Sequence, residues 1–414
     1  MKKLCLLACA VAIGVAGCGD DAPDPVDIRV DTLNVALAGA FIPEEAARRP
    51  AVIEALRASE SDIVCLQEVW QQSDKDMIAA AVAETFPHSV SFETDFDTPV
   101  DDPTDQNGMI PPTFSEGPCV GFETELEAAV QCIQDNCNTG SGSDGRTTST
   151  QCAEENCVES VATILLGGDA ALRCYACMST SLPTETFDDI RNLCQTEPNA
   201  VVSYRGQSGV MILSRHPLRD PEAFIMPGTW LKRPVATATA ELPGGHEVDV
   251  YCNHLTPIFD GLAFPYTGQY GDDRVGREGW AAEQLLQAEK LLAFVNRRSG
   301  TERPGIILGD LNAGRAFPEQ GIFAEGAATL DLLETQLVQA VAPGLVPRCT
   351  HCPDNAVAGE DTPPVWIDHI YLHNLGAEAV VSSEFTYTEA TVSTPSGMIP
   401  ISDHYGFRSV ITIQ

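Results

Sequence analysis

Gly305-Ile306-Ile307-Leu308-Gly309-Asp310-Leu311-Asn312 is a short apolar run that ends in a carboxylate and an amide. Apolar residues bounded by glycine read as a strand buried on both faces. Side chains alternate along a strand, so Ile306, Leu308, Asp310 and Asn312 point the same way. The first two fill a core, and the last two project at the strand's C-terminal lip. An acid and an amide delivered from a buried strand are costly to desolvate unless a ligand or partner satisfies them. The stretch therefore predicts a core strand with a polar site at its end.

The segments on either side repeat this design. Residues 247–253 alternate as a strand in which Val248, Val250, Cys252 and His254 face one way, so His254 ends an inward row. A helix over 278–298 then leads into the Asp310 strand, and strand, helix, strand in that order predicts a parallel crossover. Residues 235–241 read as a neighbouring strand joined through Pro243-Gly244-Gly245. Residues 208–214 form another strand, followed by an Arg215-His216-Pro217 turn. Nearer the N-terminus, residues 28–35 place Ile28, Val30, Thr32 and Asn34 on one face. A helix over 44–59 carries Val52, Ile53 and Leu56, and the strand 62–68 puts Val64, Leu66 and Glu68 on one face. The spacing of Met77, Ile78 and Val82 predicts a helix over 74–86. Towards the C-terminus a strand over 365–372 is interrupted by Asp368 and His369. Ser402-Asp403-His404 stands before a last apolar strand.

The ends of the chain and its middle differ from this core. Lys2 and Lys3 precede an apolar run over 4–15, too short for a permanent span, and Val15-Ala16-Gly17-Cys18 closes it. This pattern is similar to a bacterial lipoprotein signal. Residues 1–17 are expected to be cleaved, with Cys18 lipidated and residues 18–27 an acidic tether. The protein is then exported and held in the bacterial cell envelope by acyl chains. Twelve cysteines follow Cys18, which in an exported chain predicts disulfides. Eight of them fall between Cys119 and Cys194, and residues 99–199 read as a disulfide-bonded helical insertion. Their pairing is open, because eight cysteines allow 105 connectivities. Cys349 and Cys352 read as a local disulfide.

The formal net charge is −35 and becomes two units more negative once Lys2 and Lys3 leave. Only Lys75, Lys232 and Lys290 remain as lysines, and no basic patch of the kind that displaces counterions from nucleic acid is visible. Such acidity suits solubility and attraction of divalent cations, and weighs against long polyanions as substrate.

Six elements place a polar group where a strand ends or breaks: Asn34, Glu68, His254, Asp310 with Asn312, Asp368, and Asp403 with His404. In order, Leu33-Asn34-Val35, Leu66-Gln67-Glu68, the stretch 209–217, Asn253-His254-Leu255, Gly309-Asp310-Leu311-Asn312, Asp368-His369-Ile370 and Ser402-Asp403-His404 resemble the motifs of the endonuclease/exonuclease/phosphatase superfamily. The likeness covers 28–98 and 200–414 and leaves out the insertion. It implies an α/β fold, a four-layer α/β/β/α sandwich of two mixed sheets, and a metal-dependent phosphoric ester hydrolase. It also implies roles. Glu68 would ligate Mg²⁺, with Mn²⁺ or Ca²⁺ as substitutes, and Asn34 and Asp403 would ligate beside it or orient ligands. Asp310 would orient or deprotonate water, and Asn312 would hold a phosphoryl oxygen. His254 and His404 would donate to phosphate oxygens, with Asp368 fixing the tautomer and charge of His404. Trp70, Ala282-Glu283-Gln284 and Ser402-Asp403-His404-Tyr405 look most like the sphingomyelinase side of the superfamily. A lipid or small phosphoester is thus expected ahead of nucleic acid, and no protein partner is readable. Two rivals carry different expectations. A nuclease of the same fold would need a basic or aromatic ridge beside the cleft, for which few candidates are visible beyond Arg205, Arg215 and Arg233. A non-catalytic surface lipoprotein would use the insertion to bind a partner.

Overall fold

The computed structural model describes residues 24–39, 41–93, 115–137, 149–182, 185–198, 203–260, 264–268, 270–395 and 397–414. The expected signal, Cys18 and most of the tether lie outside these residues. In chain order the strands are β1 (Val26–Leu37), β2 (Ile63–Val69), β3 (His88–Ser91), β4 (Val210–Ser214), β5 (Leu218–Met226), β6 (Arg233–Glu241) and β7 (Glu247–His254). They continue with β8 (Gly305–Asp310), β9 (Val338–Gln339), β10 (Asp368–His373), β11 (Val380–Thr386), β12 (Thr391–Thr394), β13 (Gly397–Pro400) and β14 (Gly406–Ile413). One sheet runs β11-β14-β1-β2-β4-β3 and the other β5-β6-β7-β8-β10-β9, while β12 and β13 form a hairpin. Each large sheet is mixed: β1–β2 and β7–β8 are parallel, and the remaining pairs are antiparallel.

Alternation explains the layers. Ile28, Val30, Ile63 and Ile212 of the first sheet meet Val248, Val250, Ile306 and Leu308 of the second in one buried cluster. The opposite face of the first sheet, with Leu33, Val35, Val64 and Leu66, packs on helices α1 (Glu45–Arg57) and α2 (Gln72–Ala81). The helices α3 (Glu123–Asn136), α4 (Ser149–Asn156), α5 (Val158–Leu165), α6 (Asp169–Ser181) and α7 (Phe187–Thr196) build the Cys-rich unit. Beyond it, α8 (Gly276–Ser299) and α9 (Ala327–Leu333) cover the outer face of the second sheet through Leu291, Phe294, Val295, Leu330 and Leu333. This is the expected four-layer sandwich. No helix among the described residues is long and apolar enough to cross a membrane.

Several boundaries move. The first sheet begins at Val26, two residues inside the expected tether. α2 starts at Gln72 and stops at Ala81, and turns carry Val82 and Phe86 into the core instead of a longer helix. Met77 is 44% exposed and lies off the apolar face assigned to it.

The twelve cysteines after Cys18 are all paired. Within the Cys-rich unit the bonds are Cys119–Cys174, Cys132–Cys157, Cys137–Cys152 and Cys177–Cys194, and Cys349–Cys352 is the local bond expected. The sixth, Cys65–Cys252, ties β2 to β7 through the middle of the sandwich. Alternation aims both residues into the gap between the sheets, but their register across that gap is not written in either segment. Such bonds suit a protein that folds in an oxidising compartment.

Candidate active site

Three neighbouring strands of the second sheet end level with one another. Register pairs His254 with Asp310 and Asp368 with Asp310, so β7, β8 and β10 deliver an imidazole and two carboxylates in a row. Gly309 allows β8 to run this close to β7, since a Cβ there would come within 2.2 Å of the Asn253 carbonyl oxygen. The first sheet contributes Asn34 from β1, Glu68 from β2, and Asp403 and His404 from the segment before β14. All eight expected residues gather at this end of the sandwich.

Backbone strain aims two of them. In a regular strand Glu68 would follow Val64 and Leu66 to the outer, helix-covered face. Its φ of 58° breaks the alternation and turns the carboxylate into the cleft. Asn312 also departs from the expected pattern: β8 ends at Asp310, and Asn312 reaches the cleft from a left-handed turn with φ 47°. Positive φ at such residues costs about 1–3 kcal/mol, and positions of this kind cluster at functional sites.

Hydrogen bonds link the two sheets. Asn34 Nδ2 donates to Glu68 Oε1 and to Asp310 Oδ2, each at 3.1 Å, while its Oδ1 accepts from the Ala36 amide at 3.0 Å. That last bond fixes the amide orientation, so Asn34 presents nitrogen to the carboxylates and acts as their holder. Arg48, buried on α1, braces the same bend by donating to the carbonyls of Val35, Ala36 and Ile401. His404 Nδ1 donates to Asp368 Oδ2 at 2.8 Å, and His404 Nε2 stands 3.9 Å from Asp310 Oδ2. His254 Nε2 lies 3.4 Å from the same oxygen. Asp310 Oδ1 accepts from the Asn312 amide at 2.8 Å, and Asn312 Nδ2 donates to the Leu255 carbonyl at 2.9 Å. The helix residues singled out in the sequence hold the flanking loops. Gln284 donates to the carbonyls of Thr256 and Asn312, and Glu283 accepts from the amide and hydroxyl of Thr229.

Burial and charge then tune the groups. Asp310 is pushed up to about 7 by burial and by Asp368, against the pull of His404. Glu68 is raised by burial and by neighbouring Asp403. Burial opposes charge on His404, but Asp368, Asp403 and Asp310 outweigh it and hold the imidazole well above its ordinary value. His254 goes the other way, held neutral by burial, Arg233 and His404. The dyad therefore supplies a charged donor, and His254 a neutral one.

Two site residues escaped the sequence reading. Arg233 was visible only as a cation at the start of a strand, one of three candidates for a nucleic-acid ridge. It is buried in the cleft, with Nε and Nη1 lacking partners and Glu68 and Asp310 near enough to favour its charge. Of the other two candidates, only Arg215 can be followed. Arg215 is bound to the carbonyls of Ser61 and Ser59, and the side chain of Arg205 lies outside the described set. His351 sits between the cysteines of the local disulfide and reaches the cleft beside His404, ring centroids 4.9 Å apart. Its backbone pairs with Val365 on one side and His404 on the other, and Thr350 Oγ1 accepts from the Ile367 and Asp368 amides. Residues 349–352 thus clip the Asp368 segment to the His404 segment.

The donor chemistry fits a hard divalent cation. Half-buried Glu68 stands near buried Asp403, whose charge disfavours ionisation of Glu68, and a cation would relieve that cost. Two donor triads, His351-Asp403-His404 and Asp310-Asp368-His404, share His404, whose Nδ1 is already engaged by Asp368. A third grouping contains the disulfide-bonded Cys349 and Cys352. Mg²⁺ needs no such triad, because it keeps several waters and binds through one or two carboxylates.

The sequence profile of the Endonuclease/Exonuclease/phosphatase family matches residues 32–404. Among solved structures the chain is similar to SmcL, at 13% identity and TM-score 0.50, over 93% of this chain and 99% of that one. It is similar also to beta toxin from Staphylococcus aureus crystallised with bound magnesium ions, at 14% identity and TM-score 0.51, over 93% and 99%. At these identities the likeness is one of fold. No curated protein sequence matches significantly.

Proposed function

Because the chain belongs to the endonuclease/exonuclease/phosphatase family of phosphoester hydrolases, we propose that this cleft hydrolyses a phosphodiester with the help of a divalent cation. The observation that carries the reading is the junction of the sheets. One amide nitrogen of Asn34 holds Glu68 and Asp310 together, while Asp368 holds His404 against the same Asp310.

Each residue has a task that its surroundings suit. Asp310, with its proton affinity raised towards neutrality, takes the proton of the attacking water. His404 and Arg233 donate N–H groups to phosphoryl oxygens as negative charge builds on them. His254 adds a neutral donor on the β7 side, and Asn312 orients the phosphoryl group at the rim. Glu68 and Asp403 would hold the cation, which supplies positive charge against the phosphate anion. Mg²⁺ is the expected ion, with Mn²⁺ or Ca²⁺ as substitutes, and the magnesium in beta toxin supports that choice.

The substrate we favour is a lipid or small phosphoester over nucleic acid. The net charge of −35 and the structural engagement of Arg215 support this preference. Export and lipidation at Cys18 belong to the same reading, and the six disulfides agree with export.

The test is hydrolysis by the chain from Gly19 onward, with and without Mg²⁺. The panel holds sphingomyelin vesicles, an aryl phosphodiester, a phosphoinositide and plasmid DNA. Turnover that needs Mg²⁺ and falls about 10²–10⁴-fold in Asp310→Ala is the expected outcome. Faster nicking of plasmid would move the protein to the nuclease branch. Folded protein that binds Mg²⁺ and turns over none of the four would favour a binding platform.

A further inference from the structure

The polar groups occupy one end of a cavity of about 460 Å³, a size typical of small-molecule sites. The rest of its lining is largely aromatic: Phe41, Trp70, Tyr204, Trp230, Phe259 and Phe264. Trp70 stacks on Tyr204 with centroids 5.0 Å apart, Phe259 stacks on Phe264 at 4.4 Å, and Trp230 meets Phe264 at 5.2 Å. Gly209 leaves room for this wall, since a Cβ there would lie 2.4 Å from the Trp70 ring.

Ordinary packing does not require what the backbone does here. Tyr204 and Trp230 have φ of 54° and 68°, a region that bulky residues enter only when the surroundings force them. Trp230 is forced from three sides. Its neighbour Thr229 is bonded to buried Glu283, its own Nε1 donates to Thr267 Oγ1 at 3.1 Å, and Tyr175 of α6 meets its ring at 6.1 Å. Trp230 shares one buried cluster with Ile133, Cys174 and Cys177 of the Cys-rich unit, and Phe264 packs against that cluster. The unit therefore backs the wall of the cleft. Among the described lining residues the guanidinium of Arg233 stands near Glu68 and Asp310 at the phosphoryl end, so a second anionic group would face the electron-rich faces of the rings.

We propose that the Cys-rich unit is a specificity element. Through Trp230 and Phe264 it shapes an aromatic chamber that receives a compact aromatic or apolar substituent of the phosphoester and rejects one carrying further negative charge. The assignment rests on the phosphoester reading above.

Calorimetric titration of the chain from Gly19 onward with phenylphosphonate, methylphosphonate and 4-carboxyphenylphosphonate in MgCl₂ tests it without relying on turnover. Burying one ring predicts phenylphosphonate binding about tenfold or more tighter than methylphosphonate, with the added carboxylate cancelling the gain. Trp230→Ala and Phe264→Ala should each bring the phenyl-to-methyl ratio below about threefold while methylphosphonate affinity holds, which also shows that the variants fold. Tyr175→Leu, outside the cavity, should lower the ratio by loosening Trp230. Equal affinities in the wild type, or a ratio that survives both wall variants, would overturn the chamber and leave the phosphoester reading standing. Binding of neither phenyl- nor methylphosphonate by folded wild type would remove both.

Discussion

His404 owes its charge to Asp368, buried 2.8 Å away, more than to any other carboxylate around it. Asp368→Asn keeps the shape of the pair and removes that charge. Its kcat should fall about 10²–10⁴-fold, with KM changing little, in steady-state kinetics at pH 7.5. A loss confined to KM would mean that the pair serves binding alone. A second residue reports on pH. Lys75 is buried on α2, donates to the Phe92 carbonyl at 3.1 Å, and has its ammonium lowered by burial to about 8, well under the unfolded value of about 10.4. Between those values the unfolded chain binds more protons, so stability rises with pH across that window. Below about 8 both states are charged and the whole penalty is felt. Denaturant melts should therefore show wild type gaining on Lys75→Met as pH rises from 7 to 10, and a constant difference would contradict the buried-ammonium account. Asp368 and His404 could be placed from sequence alone, because each stands where an apolar run breaks or is about to begin. Arg233 and His351 could not be placed that way, since what marks them is their approach to carboxylates distant in the chain.

At the scale of elements, the short segment 349–352 matters more than its size suggests. It hydrogen-bonds to the run leading into β10 and to the run leading into β14, which carry Asp368 and His404. Closing so small a loop constrains the unfolded chain little, so Cys349→Ser/Cys352→Ser should change the melting midpoint only modestly. Loosening the spacing of the dyad is costlier for catalysis, where about 1 Å of misplacement can remove a factor of about 10². We expect the double variant to lose tenfold or more in kcat with its melting curve nearly in place, checked by paired kinetics and thermal melts. Most strands and their inward faces were legible from alternation, which is a local property. The exceptions have local causes that alternation does not report: Glu68 and Asn312 turn through left-handed backbone, and α2 ends early because turns bury Val82 and Phe86.

For the whole molecule, charge and topology lead to different expectations. A net charge of −35 repels anionic substrates at long range, and salt screens that repulsion. The kcat/KM for a small anionic phosphodiester should rise as ionic strength goes from about 10 to 150 mM, the opposite of an enzyme with a cationic nucleic-acid groove. A falling rate over that range would contradict the long-range repulsion. The sandwich itself could be inferred from the order of strands and helices. The role of the Cys-rich unit could not, because its contact with Trp230 and Phe264 joins segments far apart in the chain.

The bond between Cys65 and Cys252 carries a consequence for biogenesis. Of the twelve disulfide-bonded cysteines Cys65 emerges first from the N-terminal side, and eight others pass before Cys252 arrives. Those eight pair among themselves, so the Cys-rich unit can oxidise as soon as it is out. Cys65 must wait unpaired or be rescued from a wrong partner by thiol–disulfide exchange. A host lacking disulfide isomerase should accumulate scrambled chains in which Cys65 is bonded to a cysteine of the helical unit, leaving that cysteine's own partner unpaired.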